Sequence, residues 1–362
     1  MVDSRITKLA QLLVYHSTKV KKGDKVIISS DVLAEPLIKE IYKLCMQQGA
    51  FPTVKIILPG LNYLYYKYAQ DHQLKYYPKL TEEEARETDV FISIGADYNT
   101  REFTNLDHKK MALRTKTMDP ISKIRLTKRW VGVDFPTQAL AQDAGMSLDE
   151  YQDFLYGATN QDPKQMIKRL NALQAVVNKT KKVRIVGKET DLTFSINGMT
   201  ARSEYATHNV PDGEVFTAPE KFSAQGHIKF TYPAIRAGNE VEGIRLEFSK
   251  GKIVKATAEK NEKFLTAMLD MDDGAKYLGE FGIGMNPMIT VFTKNLLFDE
   301  KIGGTIHLAI GMAYPECIEK NKQNGNYSAL HWDIVKDFRK EGGEVYFDGK
   351  LVQKNGKWVI KL

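Results

Sequence analysis

The first half of the chain alternates short apolar runs with longer amphipathic stretches. Residues 25–30 (KVIISS), 52–58 (PTVKIIL), 90–96 (VFISIGA) and 130–135 (WVGVDF) are rich in β-branched side chains and bounded by turn formers, the pattern of buried parallel strands. Between the first two, residues 34–48 place Leu37, Ile38, Ile41, Tyr42, Leu44 and Cys45 on one helical face, and Gly49 supplies the stop. Strand, helix and strand in repetition predict an open α/β sheet. Such sheets often carry ligands beyond their strand C-termini, yet no glycine-rich phosphate fingerprint follows any of these strands. This half reads as scaffold.

The texture changes after a helical stretch at 163–179 and a basic link. Alternating strands now meet at hairpin signals, Asn197-Gly198, Asp212-Gly213, Asp348-Gly349 and Asn355-Gly356, and the last two punctuate a meander of short strands. The expected architecture is an N-terminal open α/β sheet domain over 1–180, followed by a C-terminal α+β domain over 181–362, rich in antiparallel hairpins. No fixed-period repeat is present, which argues against a solenoid.

Composition narrows the class. A chain of 362 residues exceeds what one core usually serves, consistent with two domains. The 52 Lys and Arg against 45 Asp and Glu give +7, but the basic residues are scattered in pairs such as Lys21-Lys22, with no zinc-finger spacing, RNP-like motif or basic zipper. Nucleic acid is therefore not expected as a partner. Cys45 and Cys317 are too few for a disulfide framework or a thiolate metal site. No signal-peptide core or membrane-length apolar run is present, so a cytoplasmic protein with no membrane partner is expected.

Several common catalytic signatures are absent: G-x-S-x-G, H-E-x-x-H, the P-loop and C-x-x-C. Ser328, His331 and Asp333 lie too close in sequence to converge as a relay triad. What remains is a set of oxygen and nitrogen donors: Glu214 in PDGEVFTAP, Glu280 in YLGEFGIGMN, His307 in GGTIHLAIG, and His331 with Asp333 in SALHWD. In an extended segment residues two apart point the same way, so His331 and Asp333 can share one site. Each also has a plainer reading. His307 suits a hydrogen-bonded core histidine, Asp333 the N-cap of a helix from Ile334, and the two glutamates suit solvated turns.

Taken together, PDGEVFTAP, LGEFGIGMN, FDEKIGGTIHLAIGMAY and NYSALHWD resemble the metal-binding segments of the aminopeptidase T family (peptidase family M29), in that family's order. The resemblance is strongest over 206–358 and weaker through the N-terminal half. It implies a metal-dependent aminopeptidase that removes N-terminal residues from peptides, using two divalent ions (zinc, cobalt or manganese). By that resemblance Glu214, Glu280, His307, His331 and Asp333 hold the ions, and Tyr314 is the catalytic tyrosine. Such an ion pair lowers the pKa of a bound water to supply the attacking hydroxide, and Glu214 or Glu280 relays the proton. The resemblance further implies peptide substrates with a free N-terminus and a homodimer. The segment 319–326 (EKNKQNGN) is shorter and more basic than the usual family loop. Phe216, Met285, Met288 and Trp332 stand near the motifs, as pocket lining or as plain core. A competing reading takes His307, His331 and Asp333 alone as the iron site of a ring-cleaving dioxygenase. Glu214 and Glu280 weigh against it, since an oxygenase has no use for two further carboxylates in register.

Overall fold

The structure, a computed structural model, describes residues 3–236 and 238–362. The chain forms two compact units, Met1–Asn160 with Ala206–Pro211, and Gln161–Tyr205 with Asp212–Leu362. The sequence pattern suggests a boundary near residue 180, at the end of the helix Pro163–Val177. That helix belongs to the second unit because Leu170, Leu173 and Val177 are buried in its core. No helix among the described residues is long and apolar enough to cross a membrane.

In the first unit, strands β1 (Lys25–Asp31), β2 (Phe51–Ile57), β3 (Val90–Gly95) and β4 (Arg129–Asp134) form a parallel sheet in the order β2-β1-β3-β4. The short strand Asn209–Val210 pairs beyond β4. The apolar runs fall within a residue of where the pattern puts them. Val26, Ile27 and Ile28 of β1 and Val90, Phe91 and Ile92 of β3 are buried, as inner strands covered on both faces require. β2 departs from this expectation: it is an edge strand, and Phe51 and Ile57 are 67% and 48% exposed. The helix Glu35–Gln47 buries Leu37, Ile38, Ile41, Leu44 and Cys45 as its spacing predicts, while Tyr42, at the margin of the stripe, is exposed.

The second unit stacks two sheets across one apolar layer, to which strands of both contribute: Val183, Ile185 and Phe194 from one, Phe281, Leu308 and Trp332 from the other. Asp348-Gly349 and Asn355-Gly356 are hairpin turns, with both residues of each pair at positive φ as two-residue connections demand. Asn197-Gly198 and Asp212-Gly213 instead lie between strands that do not pair with each other. The smaller sheet runs His331–Asp337, Thr305–Gly311, Leu278–Gly284, Glu214–Thr217, Arg202–Glu204, all antiparallel.

Candidate metal centre

The period of two along this sheet divides it into an apolar face and a polar face. Val215, Phe281, Ile283, Ile306, Leu308, Ile310, Trp332 and Ile334 enter the inter-sheet core. The intervening positions, Glu214, Glu280, His307, His331 and Asp333, therefore share the opposite face. Segments far apart in sequence converge because hydrogen-bond register aligns them. Glu280 stands opposite Ala309, and Ala309 opposite Asp333. Gly282 stands opposite His307, and Gly311 opposite His331. Donors thus alternate with Gly or Ala across the strands, which leaves room for the longer side chains between them.

All five donors come together. His307 Nε2 is 3.1 Å from Glu280 Oε1 and 3.3 Å from Glu214 Oε2. His331 Nε2 is 3.4 Å from Asp333 Oδ2 and 3.5 Å from Glu280 Oε2. Three overlapping groups have ligand atoms within 4.8 Å of one another: Glu214, Glu280 and His307; Glu280, His331 and Asp333; and Glu300, His307 and Asp333. Asp333 lies inside the strand His331–Asp337, so it caps no helix at Ile334.

The site is buried, and its acids are under-compensated. Glu214, Glu280, His307 and Asp333 are at most 6% exposed. Glu214 Oε2, Glu280 Oε2 and Asp333 Oδ1 accept no hydrogen bond and His307 Nδ1 makes none, an expensive state for buried polar atoms. The cluster holds four carboxylates, counting Glu300, and two of them contact the fully buried ammonium of Lys301, which is 3.2 Å from Glu214 Oε1 and also bonded to Glu300. Burial opposes charge on both histidines. The surrounding acids still win and push His307 up to about 9 and His331 up to about 10. Burial raises the Glu280 carboxyl and takes Glu300 up to about 7, whereas at Asp333 the His331 charge overcomes burial and holds the carboxyl at about 2. Such a cluster draws in positive charge, and its donor set of carboxylates and imidazoles suits divalent transition metals. The residues fit the metal that the motifs imply. His331 is already oriented for this role: its Nδ1–H donates to the Met312 carbonyl at 2.8 Å, leaving Nε2 toward the carboxylates.

Tyr314 borders the cluster, its ring 4.6 Å from that of His331 and 5.6 Å from that of Phe216. Burial first, then the carboxylates, push its phenol far above the ordinary value, so it keeps its proton and can only donate to an anion. Trp332 faces away into the core beside Phe264, Met285 is core as well, and Met288 is exposed. The site also contains residues that pattern reading overlooks. Glu300 and Lys301 precede His307 in FDEKIGGTIH, and a lysine adjoining an acid normally signals a solvated surface. Arg236 donates to the His331 carbonyl oxygen at 2.7 Å.

The family model for the thermophilic metalloprotease (M29) matches residues 2–358. The chain belongs to the M29 family. Among M29 relatives, Aminopeptidase 2 of Geobacillus stearothermophilus is 26% identical over 99% of both chains, and Aminopeptidase PepS of Streptococcus thermophilus 28% identical over 98% of both. The solved structure of AmpT from Thermus thermophilus superposes with a TM-score of 0.88 at 23% identity, covering 99% of each chain, so the two share a fold. The dioxygenase alternative finds no support here: it leaves buried Glu214 and Glu280 without a role, and these relatives are aminopeptidases.

Proposed function

We propose that this M29 chain is a dinuclear metalloaminopeptidase, removing the N-terminal residue from peptides that carry a free α-amino group. The observation that carries the reading is the convergence of two histidines and three carboxylates on one sheet face, with buried oxygens that lack hydrogen-bond partners. Glu214, Glu280, His307, His331 and Asp333 would hold two divalent ions. Glu280 stands between the two halves of the cluster, since it alone of the five belongs to both the Glu214–His307 group and the His331–Asp333 group. Zinc or cobalt is the expected occupant, with manganese accepted by the same donors.

Bound there, the ions would polarise the scissile carbonyl and make a water acidic enough to attack at neutral pH. The protein's part is to position and to move protons. Tyr314, protonated and beside His331, donates to the carbonyl oxygen as it gains charge. A carboxylate of the cluster, Glu214 or Glu280, takes the proton released on attack and passes it to the leaving amine. Lys301 Nζ, 3.2 Å from Glu214 Oε1, holds that carboxylate in place. A homodimer is part of this proposal, supported by the exposed apolar edge of the first unit, where Phe51, Ile56, Ile57 and Leu58 stand in or beside β2.

The test is hydrolysis of a leucyl dipeptide and its N-acetylated twin by metal-stripped protein, with zinc, cobalt or manganese restored separately. Cleavage of the free-amine peptide alone, and only with metal, is expected. Equal cleavage of both peptides would make it a less selective amidase. No cleavage with any metal would overturn the reading.

A further inference from the structure

The first unit holds a cavity of about 410 Å³, within the size range of small-molecule sites. Ser29–Asp31 at the end of β1, Ile57–Gly60 after β2 and Ser93–Asn99 at the end of β3 all line it. In the order β2-β1-β3 the chain leaves β1 to one side for β2 and returns past it to β3. This is the topological switch point, where open α/β sheets leave a crevice beyond their strand carboxyl ends.

The cavity's polar groups are unsatisfied in two opposite senses. Arg125, from the helix His108–Leu126, lies over the Phe91 ring at 4.8 Å and has a long 3.5 Å hydrogen bond to Ser93 Oγ. It forms no ion pair among the described residues, and burial pulls its guanidinium below the ordinary value. The charge of Glu84 acts on it only weakly against burial, and Lys55 already occupies that carboxylate. Asp31 presents a buried Oδ1 without a hydrogen-bond partner, and burial together with Asp31 pushes the Asp97 carboxyl up. Ile57, Leu58 and Phe103 add apolar wall. A phosphate would suit Arg125 but meet three acids, Asp31, Asp97 and Glu102, with no glycine-rich loop to cradle it. A lone cation would leave the guanidinium unanswered.

We propose that this cavity binds a small zwitterion, a free amino acid or dipeptide, with its carboxylate on Arg125 and its ammonium on Asp31 and Asp97. An apolar side chain packs against Ile57, Leu58 and Phe103. Under the aminopeptidase reading such a molecule is the reaction's own product, but the cavity's chemistry calls for it without that reading.

Equilibrium dialysis of L-leucine against the metal-loaded protein tests this, alongside N-acetylleucine, which lacks the ammonium, and leucinamide, which lacks the carboxylate and is offered to Glu280→Gln protein so that it is not hydrolysed. Arg125→Met and Asp31→Asn should each weaken leucine binding at one site at least tenfold, and both blocked analogues should bind that site at least tenfold more weakly than leucine. Leucyl-leucine, offered to Glu280→Gln protein to suppress turnover, separates a dipeptide site from an amino-acid site. Should either cavity variant fold poorly, hydrogen exchange on the unaltered protein replaces it, with leucine expected to protect 57–62 and 93–103. Leucine binding in both variants as tight as in the unaltered protein, equal binding of all three ligands, or no protection of those segments would overturn the proposal. Binding is read without turnover, so a protein that hydrolyses nothing still gives a result.

Discussion

Gly282 and His307 face each other across neighbouring antiparallel strands, and a Cβ on Gly282 would stand 1.8 Å from His307 Nε2. The glycine makes the space in which the imidazole turns toward Glu214 and Glu280. The Gly282→Ala protein is expected to displace that ring. Its metal content, read by elemental analysis, should fall, and turnover should drop at least a hundredfold while the far-ultraviolet dichroism keeps its native shape. Full metal occupancy with normal turnover would mean that His307 is no ligand.

Tyr314 packs against the rings of His331 and Phe216 at the border of the cluster. In Tyr314→Phe the ring packing survives and the phenolic donor is lost. Metal content should be unchanged and kcat should fall about a hundredfold or more, the usual cost of one donor to a developing oxyanion. Near-normal kcat would remove Tyr314 from the mechanism.

Lys301 is fully buried against Glu214 and Glu300. Removing one partner of such a cluster leaves uncompensated charge, at about 3–5 kcal/mol. Lys301→Met should therefore lower the urea midpoint of the metal-free protein. Unchanged unfolding would show that the two glutamates find their compensation elsewhere.

Acid stability should depend on Asp337, a fully buried residue outside the metal cluster. Burial disfavours its charge, but the Arg339 guanidinium at 2.9 Å and the Tyr232 hydroxyl at 2.7 Å outweigh this and hold its carboxyl below the usual range. A depressed folded value means that the unfolded chain takes up the proton first on acidification. The contribution is complete above about pH 3.9, the unfolded value, and is lost as pH falls below that through the folded value. Asp337→Asn should cost about 2 kcal/mol at neutral pH. The deficit should shrink on acidification, and a pH-independent difference would contradict the ion pair.

Much of this molecule is legible in its sequence. The β-branched runs of β1 to β4 and the stripe Leu37, Ile38, Ile41, Leu44 and Cys45 follow from local periodicity, because burial on two faces or on one stripe imposes a composition on consecutive residues. Alternation along HWD likewise lets His331 and Asp333 share a face, whereas the full donor set came from the resemblance of four segments to one family's metal-binding motifs.

What local pattern does not carry is partnership. Glu214 pairs in register with Gly284, and Ala309 with both Glu280 and Asp333; these cross-strand relationships set which donors meet. Strand pairing decides them, and the residues that enforce it lie far apart in the chain. The same holds for β2, whose apolar run looks internal until the strand order leaves it at an edge. The tertiary structure also puts Lys301 beneath Glu214, an arrangement invisible in FDEKIGG because a lysine is charged in either setting. The sequence by itself determined the four strands β1 to β4, the helical stripe after β1 and which residues offer donor atoms. Only the tertiary structure decided register, edge and charge compensation, because each depends on neighbours in space that adjacent residues do not encode.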